Sequence, residues 1–260
     1  MKVNRRNMRS VFVTAAAGCV AVLLASCSDL EPVAPEPESP VPPASSFDSS
    51  VPRAWFDLAL TLTRTTPGFT PPVASRAFGY AGVALYEAVV PGIPGHRSLG
   101  GLVNGLTALP HPPEGAHIHW PSAANAALAH MMRSLYANTS AANQDAIDAL
   151  EAQVAATQRA AAGAAAHEAG AAWGGSIADA VFAASVTDGG HEGYLRNFPA
   201  SYVPPAGPGY WVPTSAQLIP MQPYWGSVRP FCLPAGNPNT ESTVRRRRRH
   251  RERTHRSAVG

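Results

Sequence analysis

Three stretches of the chain set an imidazole beside another group that could do chemistry. His111, His117 and His119 crowd into "HPPEGAHIHW", and His-x-His is a spacing that can offer a metal two ring nitrogens. No Cys, Asp or further His follows at a ligand spacing, so the three read as histidines of a Pro- and Gly-rich loop. His167-Glu168 begins like a helical zinc-protease motif, but Ala171 stands where the second His is required. His191-Glu192 follows the turn residues Asp188-Gly189-Gly190 and pairs a base with an acid, types suited to proton transfer. A dipeptide that short assigns nothing alone. The chain has no Gly-x-Ser-x-Gly and no phosphate-binding Gly loop with a Lys. No catalytic and no metal-binding residue is therefore assigned.

Charge narrows the chemistry further. Lys2 is the only lysine and lies in the N-terminal targeting segment, so a lysine-dependent phosphate or Schiff-base site is excluded from a processed chain. The formal charge is +3. Residues 245–256, inside "TVRRRRRHRERTHRS", hold eight Arg and one Glu, which leaves about −4 for everything else. Such a run can attract phosphates, but it has neither interleaved aromatics nor an amphipathic stripe. No nucleic-acid partner is expected. The run reads as a solvated tail, with anionic lipid headgroups as the alternative target.

The elements that would position these residues begin with an export signal. Lys2, Arg5, Arg6 and Arg9 precede the apolar run Val11–Leu24, and small residues lead to Cys27. That order reads as a bacterial signal peptide over residues 1–26. The run is short for a spanning helix, which needs about 20 apolar residues. Leu24-Ala25-Ser26-Cys27 resembles a lipobox, making Cys27 the lipidated first residue of an exported lipoprotein; Ser28 fits delivery to the outer membrane. The expected partner is then the membrane, through acyl chains. Residues 27–52 are rich in Pro and acids and poor in large apolar side chains, and read as a disordered tether. Cys19, Cys27 and Cys232 supply no disulfide framework, beyond a conceivable Cys27–Cys232 pair.

From residue 53 the apolar spacing turns helical. Trp55, Leu58, Ala59 and Leu62 form one stripe that stops at Pro67-Gly68. Thr70 is a plausible cap for a second helix running to Val90, with Pro71-Pro72 in its first turn. Its Val73, Ala77, Ala81, Ala84 and Ala88 make a small-residue face. Gly79 and Gly82 are costly in a helix, about 1 kcal/mol each, and predict another helix packed closely there. Residues 91–120 look irregular. Pro121 starts a third helix. Thr139 or Ser140 can cap a long Ala-rich stretch over 141–186, which Gly163, Gly170 or Gly174-Gly175 could break in two. Proline-dense residues 191–240, with Tyr194, Phe198, Tyr202, Tyr210, Trp211, Tyr224, Trp225 and Phe231, read as an ordered extended wrap covering helices. No segment alternates with period two. The fold class expected is all-α: a helical bundle-like domain with a Pro/aromatic-rich C-terminal wrap.

Three stretches together carry a resemblance: "RAWFDLALTLTRTTPGFTPPVASRAFGYAGVALYEAV", "HWPSAANAALAHMMRSLY" and "HEGYLRNFPASYVPPAGPGYWVPT…QPYWGSVRPF". They resemble the N-terminal half of vanadium-dependent haloperoxidase-like proteins, of the type 2 phosphatidic acid phosphatase superfamily. The resemblance runs from about Val51 to Thr240, with the family's helical N-terminal region placed at 53–240. It implies a helical fold and, in full-length members, a vanadate cofactor and a peroxidase or phosphatase activity. Their anion pocket uses Lys-x₆-Arg-Pro, Pro-Ser-Gly-His and Ser-Arg-x₃-Gly-x-His, whose cations neutralise oxyanion charge and whose imidazoles act as acid–base and as ligand or nucleophile.

None of the three is intact in this chain. Lys2-x₆-Arg9 lies in the signal peptide and lacks the Pro, Gln222 replaces Lys before Arg229-Pro230, Pro94-Gly95-His96 lacks the Ser, and Ser75-Arg76 with Gly79 is one residue short and has no His. No catalytic residue carries over and no cofactor is expected here. The expectation is a lipid-anchored N-terminal fragment, catalytically incomplete alone, whose C-terminal catalytic half is a missing partner. Residues 241–260 are read as a basic disordered or out-of-frame tail, because a shifted frame in a GC-rich gene readily reads as Arg repeats. The alternative expectation is a non-enzymatic surface lipoprotein whose Arg-rich tail binds headgroups. Sequence assigns no oligomeric state.

Overall fold

The computed structural model describes residues 41–107 and 109–233. The signal peptide, Cys27, most of the tether and the arginine run lie outside the described residues. Those described carry five α-helices and no strand: α1 (Ser50–Thr65), α2 (Pro71–Val89), α3 (Trp120–Leu135), α4 (Ala141–Ala162) and α5 (Ala164–Val186). Short 3₁₀ turns occupy Ala44–Ser46, Val90–Gly92, Gly193–Leu195 and Trp225–Ser227. The all-α expectation holds. None of these helices is long and apolar enough to cross a membrane.

Helix α3 is central and touches the other four. Its sequence explains why: alanines alternate with Leu128, Met131, Met132 and Leu135, so every side of it can approach a neighbour. Buried Asn125 ties three helices together. Its Oδ1 accepts the Trp55 Nε1–H of α1 at 2.8 Å, and its Nδ2 donates to the Glu151 carbonyl of α4 at 3.2 Å. Helix α5 packs hardest on α3, with Trp173, Ile177, Ala178 and Val181 turned inward. The small-residue face of α2 is buried as its spacing predicted. Helix α4 is peripheral and buries Ile147 alone.

Several expectations need correction. The fold begins before residue 53, so the tether expected over 27–52 is too long. Pro42 accepts a hydrogen bond from Trp120 Nε1 at 3.0 Å, the Phe47 ring meets His119 edge-on at 5.2 Å, and Val51 is buried. Prolines there shape a path over the bundle instead of keeping the chain away from it. Thr70 does precede α2, but its hydroxyl donates to Asn197 Oδ1 at 2.6 Å and caps nothing. Ser140 is a true cap, accepting from the Asn143 N–H. The long Ala-rich stretch breaks at Gly163, which sits at φ 80° between α4 and α5. Gly170 and Gly174 instead lie inside α5, where α3 comes so close that a Cβ would strike the His119 and Ala123 carbonyls. Gly79 faces the Phe231 ring of the wrap, and Gly82 faces open space, so neither marks a helix crossing.

The wrap covers the bundle only in part. Tyr194 and Phe231 pack inward, while Phe198, Tyr210, Trp211 and Tyr224 stay exposed.

Candidate functional site

Where α2 passes the end of α5, one buried carboxylate collects a cluster of donors. Asp188 accepts from Arg76 Nε at 2.7 Å and Nη2 at 3.1 Å, from the Tyr80 hydroxyl at 3.0 Å and from the Gly190 N–H at 2.6 Å. Arg76 Nη2 also donates to the Ser185 carbonyl at 2.6 Å, and its guanidinium lies 4.9 Å from the Tyr80 ring centre. The pair is out of water, with side-chain exposures of 9% and 1%. Burial first, and then the Asp188 charge, push the Tyr80 hydroxyl up to about 12. Tyr80 thus stays a neutral donor.

Asp188 opens the loop that forms the site. Gly190 is required there, since a Cβ would sit 2.8 Å from Arg76 Cδ. Gln222, from the far end of the wrap, donates from Nε2 to the Gly193 carbonyl at 2.7 Å and to Asn197 Oδ1 at 2.8 Å. Asn197 Nδ2 reaches the Gly68 carbonyl at 2.8 Å. Arg196 donates to the His191 carbonyl at 2.9 Å. The turn is therefore held both by its own Arg196 and by Gln222 from the wrap. Within it Glu192 adopts a left-handed conformation, φ 52°, which a non-glycine residue holds only when its surroundings insist.

Between this loop, α2, the end of α3 and Phe182 of α5 lies a cavity of about 350 Å³. Phe69, Val73, Leu135 and Phe182 supply apolar walls, while Arg76, His191, Glu192 and Tyr194 supply polar groups. Phe69 stacks on Tyr136 at 4.3 Å and on Tyr194 at 5.9 Å, which fixes one wall. Burial, with the Glu192 carboxylate beside it, raises the Tyr194 hydroxyl above its usual value.

The structure thus brings His191 and Glu192 to a cavity and leaves the other histidines elsewhere. His119 and His167 meet across the α3–α5 contact, each with Nδ1 2.8 Å from Ser122 Oγ. One hydroxyl proton can serve one ring, so at least one imidazole must donate to Ser122. Burial, and then His167, hold His119 below the usual histidine value. His119 is therefore a packed residue, not the exposed loop histidine that its Pro/Gly surroundings suggested; His111 and His117 are exposed. Among the described residues, no group of three His, Cys, Asp or Glu is placed to hold a metal. Gln222 and Arg229 share no site: Gln222 braces the loop, and Arg229 donates to the Ala184 and Thr187 carbonyls at the end of α5. The exposed His96 ring meets the local Pro94 carbonyl with Nδ1 at 3.2 Å. Sequence reading missed Asp188, Tyr80 and Asn197, whose partners lie 108 to 129 positions away in the chain.

No protein-family model and no curated protein sequence matches the chain. A solved structure does: that of a protein described as the first bacterial vanadium-dependent iodoperoxidase superposes with a TM-score of 0.57 and 28% identity, over 70% of this chain and 42% of that one. The fold is haloperoxidase-like. This haloperoxidase-like chain spans less than half the length of that neighbour.

Vanadate is the cofactor the likeness brings to mind, and the described residues do not fit it. An oxyanion needs several cationic donors aimed at one point. Arg76 is neutralised by Asp188, Arg133 by Asp148 and Glu151, and Arg159 by Glu168. Arg196 and Arg229 are spent on backbone carbonyls. The cavity itself offers an oxyanion one arginine, already paired, and an opposing carboxylate.

Proposed function

We propose that the chain is the helical N-terminal module of a vanadium-dependent haloperoxidase-like lipoprotein of the type 2 phosphatidic acid phosphatase superfamily, catalytically incomplete by itself. The observation that carries the family reading is the 28% identity over 70% of the chain to a solved vanadium-dependent iodoperoxidase. Incompleteness rests on the donor set: Arg76, the arginine that lines the cavity, is paired with Asp188, and the three anion-binding motifs are absent from the sequence. In this reading the module is a scaffold, and the vanadate pocket belongs to a C-terminal catalytic half that these residues do not include. Lipid carried on Cys27 would place it at the outer membrane after export.

Vanadate titration of the full chain followed by ⁵¹V NMR, with iodide and bromide oxidation assayed in parallel, tests the catalytic part. No stoichiometric uptake and no halide-dependent turnover are expected; tight one-to-one uptake would overturn it. Incorporation of labelled palmitate in a bacterial host, abolished in Cys27→Ser, tests the anchor. Export with no label on Cys27 would leave a plain secretory signal.

A further inference from the structure

We propose that the cavity behind the 188–197 loop is a binding site for a small organic ammonium ion, with Glu192 as its counter-charge. Its volume of about 350 Å³ falls within the range of small-molecule clefts. It is an indentation between three helices and a braced loop, so its walls exist before any ligand arrives.

Charge decides the class of occupant. Arg76 is the cavity's cation, but Asp188 takes it in a two-point ion pair, so it adds no net positive field. Among the described residues, Glu192 has no ion-pair partner. The lining therefore carries an unmatched negative charge over an aromatic floor, which repels anions and attracts cations. Phe182 and Tyr194 line the cavity with aromatic rings, and a cation is attracted to the negative face of such a ring. A hydrocarbon or aryl body fills the apolar depth beside Val73 and Leu135, while the ammonium meets the carboxylate at the mouth.

The loop is built to hold the backbone that carries that carboxylate in place. Gly190 allows Arg76 to pass beneath the turn, and Gly193 lies against Val73. Gln222 and Asn197 fasten the turn from the wrap side. Glu192 occupies a left-handed position between two glycine-containing turns, where glycine would cost nothing. A strained glutamate at the rim of a cavity is a placement that packing alone does not require.

Isothermal titration of the full chain with phenethylamine, 2-phenylethanol and phenylacetate tests the site. Phenethylamine should bind saturably and about tenfold or more tighter than the neutral alcohol, as a charge-assisted hydrogen bond implies; phenylacetate should not bind. Glu192→Gln should remove the preference for the amine. Glu192→Gly should do the same while raising the melting temperature, which separates loss of the site from loss of the fold. Ala137→Trp, at an exposed wall position, should block the amine by filling the cavity. Equal binding of amine and alcohol, or of amine and acid, overturns the proposal. So does the absence of saturable amine binding, or amine affinity unmoved in Glu192→Gln.

Discussion

Asp188 accepts four hydrogen bonds through its two carboxylate oxygens, and their donors come from α2 and from the loop itself. Removing the carboxylate strands the Arg76 charge in a buried position, which costs far more than the pair's net worth. Asp188→Ala should therefore destabilise the fold by about 3–5 kcal/mol in urea denaturation. Replacing Arg76 as well, by Met, should recover much of that loss. The same cluster sets an alkaline limit. The Tyr80 value is raised in the fold to about 12, so the proton is held more tightly folded than unfolded. Its contribution is present in full below the ordinary tyrosine value near 10 and is lost as pH rises toward 12. Unfolding free energy measured over this range should fall less steeply in Tyr80→Phe. Tyr136 and Tyr194, also raised by burial, account for the slope that remains.

The α3–α5 contact is the element-scale counterpart, and its glycines separate by exposure. A Cβ at Gly174 would sit 2.1 Å from the Ala123 carbonyl oxygen, whereas one at Gly175 meets nothing within 4 Å. Gly174→Ala must push two helix backbones apart, at a cost of about 1–3 kcal/mol or more. Gly175→Ala should gain about 0.5–1 kcal/mol, because helical alanine loses less backbone freedom than glycine. Melting temperatures that move in opposite directions bear this out, and a shared direction would contradict the close crossing. Helices of this kind were legible in the sequence because their cause is local. The stripe of Trp55, Ala59 and Leu62, the small face of α2 and the cap at Ser140 are each set by residues within a few turns of the same segment. Which glycine would break the Ala-rich stretch was not legible. Gly163 and Gly174 look alike until α3 is in place, and only then does one become a hinge and the other a contact. The candidate site was visible only as the dipeptide His191-Glu192. Its braces, Gln222 to Gly193 and Asn197 to Gly68, join segments 29 and 129 residues apart, and no spacing rule reaches that far.

Across the whole molecule the wrap combines firm ends with an exposed middle. Its later part is tied down: Asn104 donates from its backbone to the Phe231 carbonyl at 2.7 Å, the Arg229 N–H donates to the Asp188 carbonyl at 2.8 Å, and Gln222 is buried. Its start is tied through Asn197. Between them, Val203, Tyr210, Trp211, Val212 and Leu218 are exposed. Backbone that few contacts hold opens at low cost, whatever the stability of the bundle. Apolar side chains there also form the kind of surface that proteins cover with a partner. Brief chymotrypsin digestion should therefore cut first at Tyr210 or Trp211, well before any site within α1 to α5. The piece that follows the cut should stay bound under native conditions, because Gln222, Arg229 and Phe231 hold it to the bundle independently of the severed middle. Gel filtration of the nicked protein, followed by mass spectrometry, distinguishes the outcomes. Co-elution of both pieces is expected. Release of the second piece would mean that the wrap is held by chain continuity and not by its anchors. The Gln222 brace on Gly193 and the Arg229 contact to Asp188 would then leave with it, and the cavity should lose its shape in the nicked form.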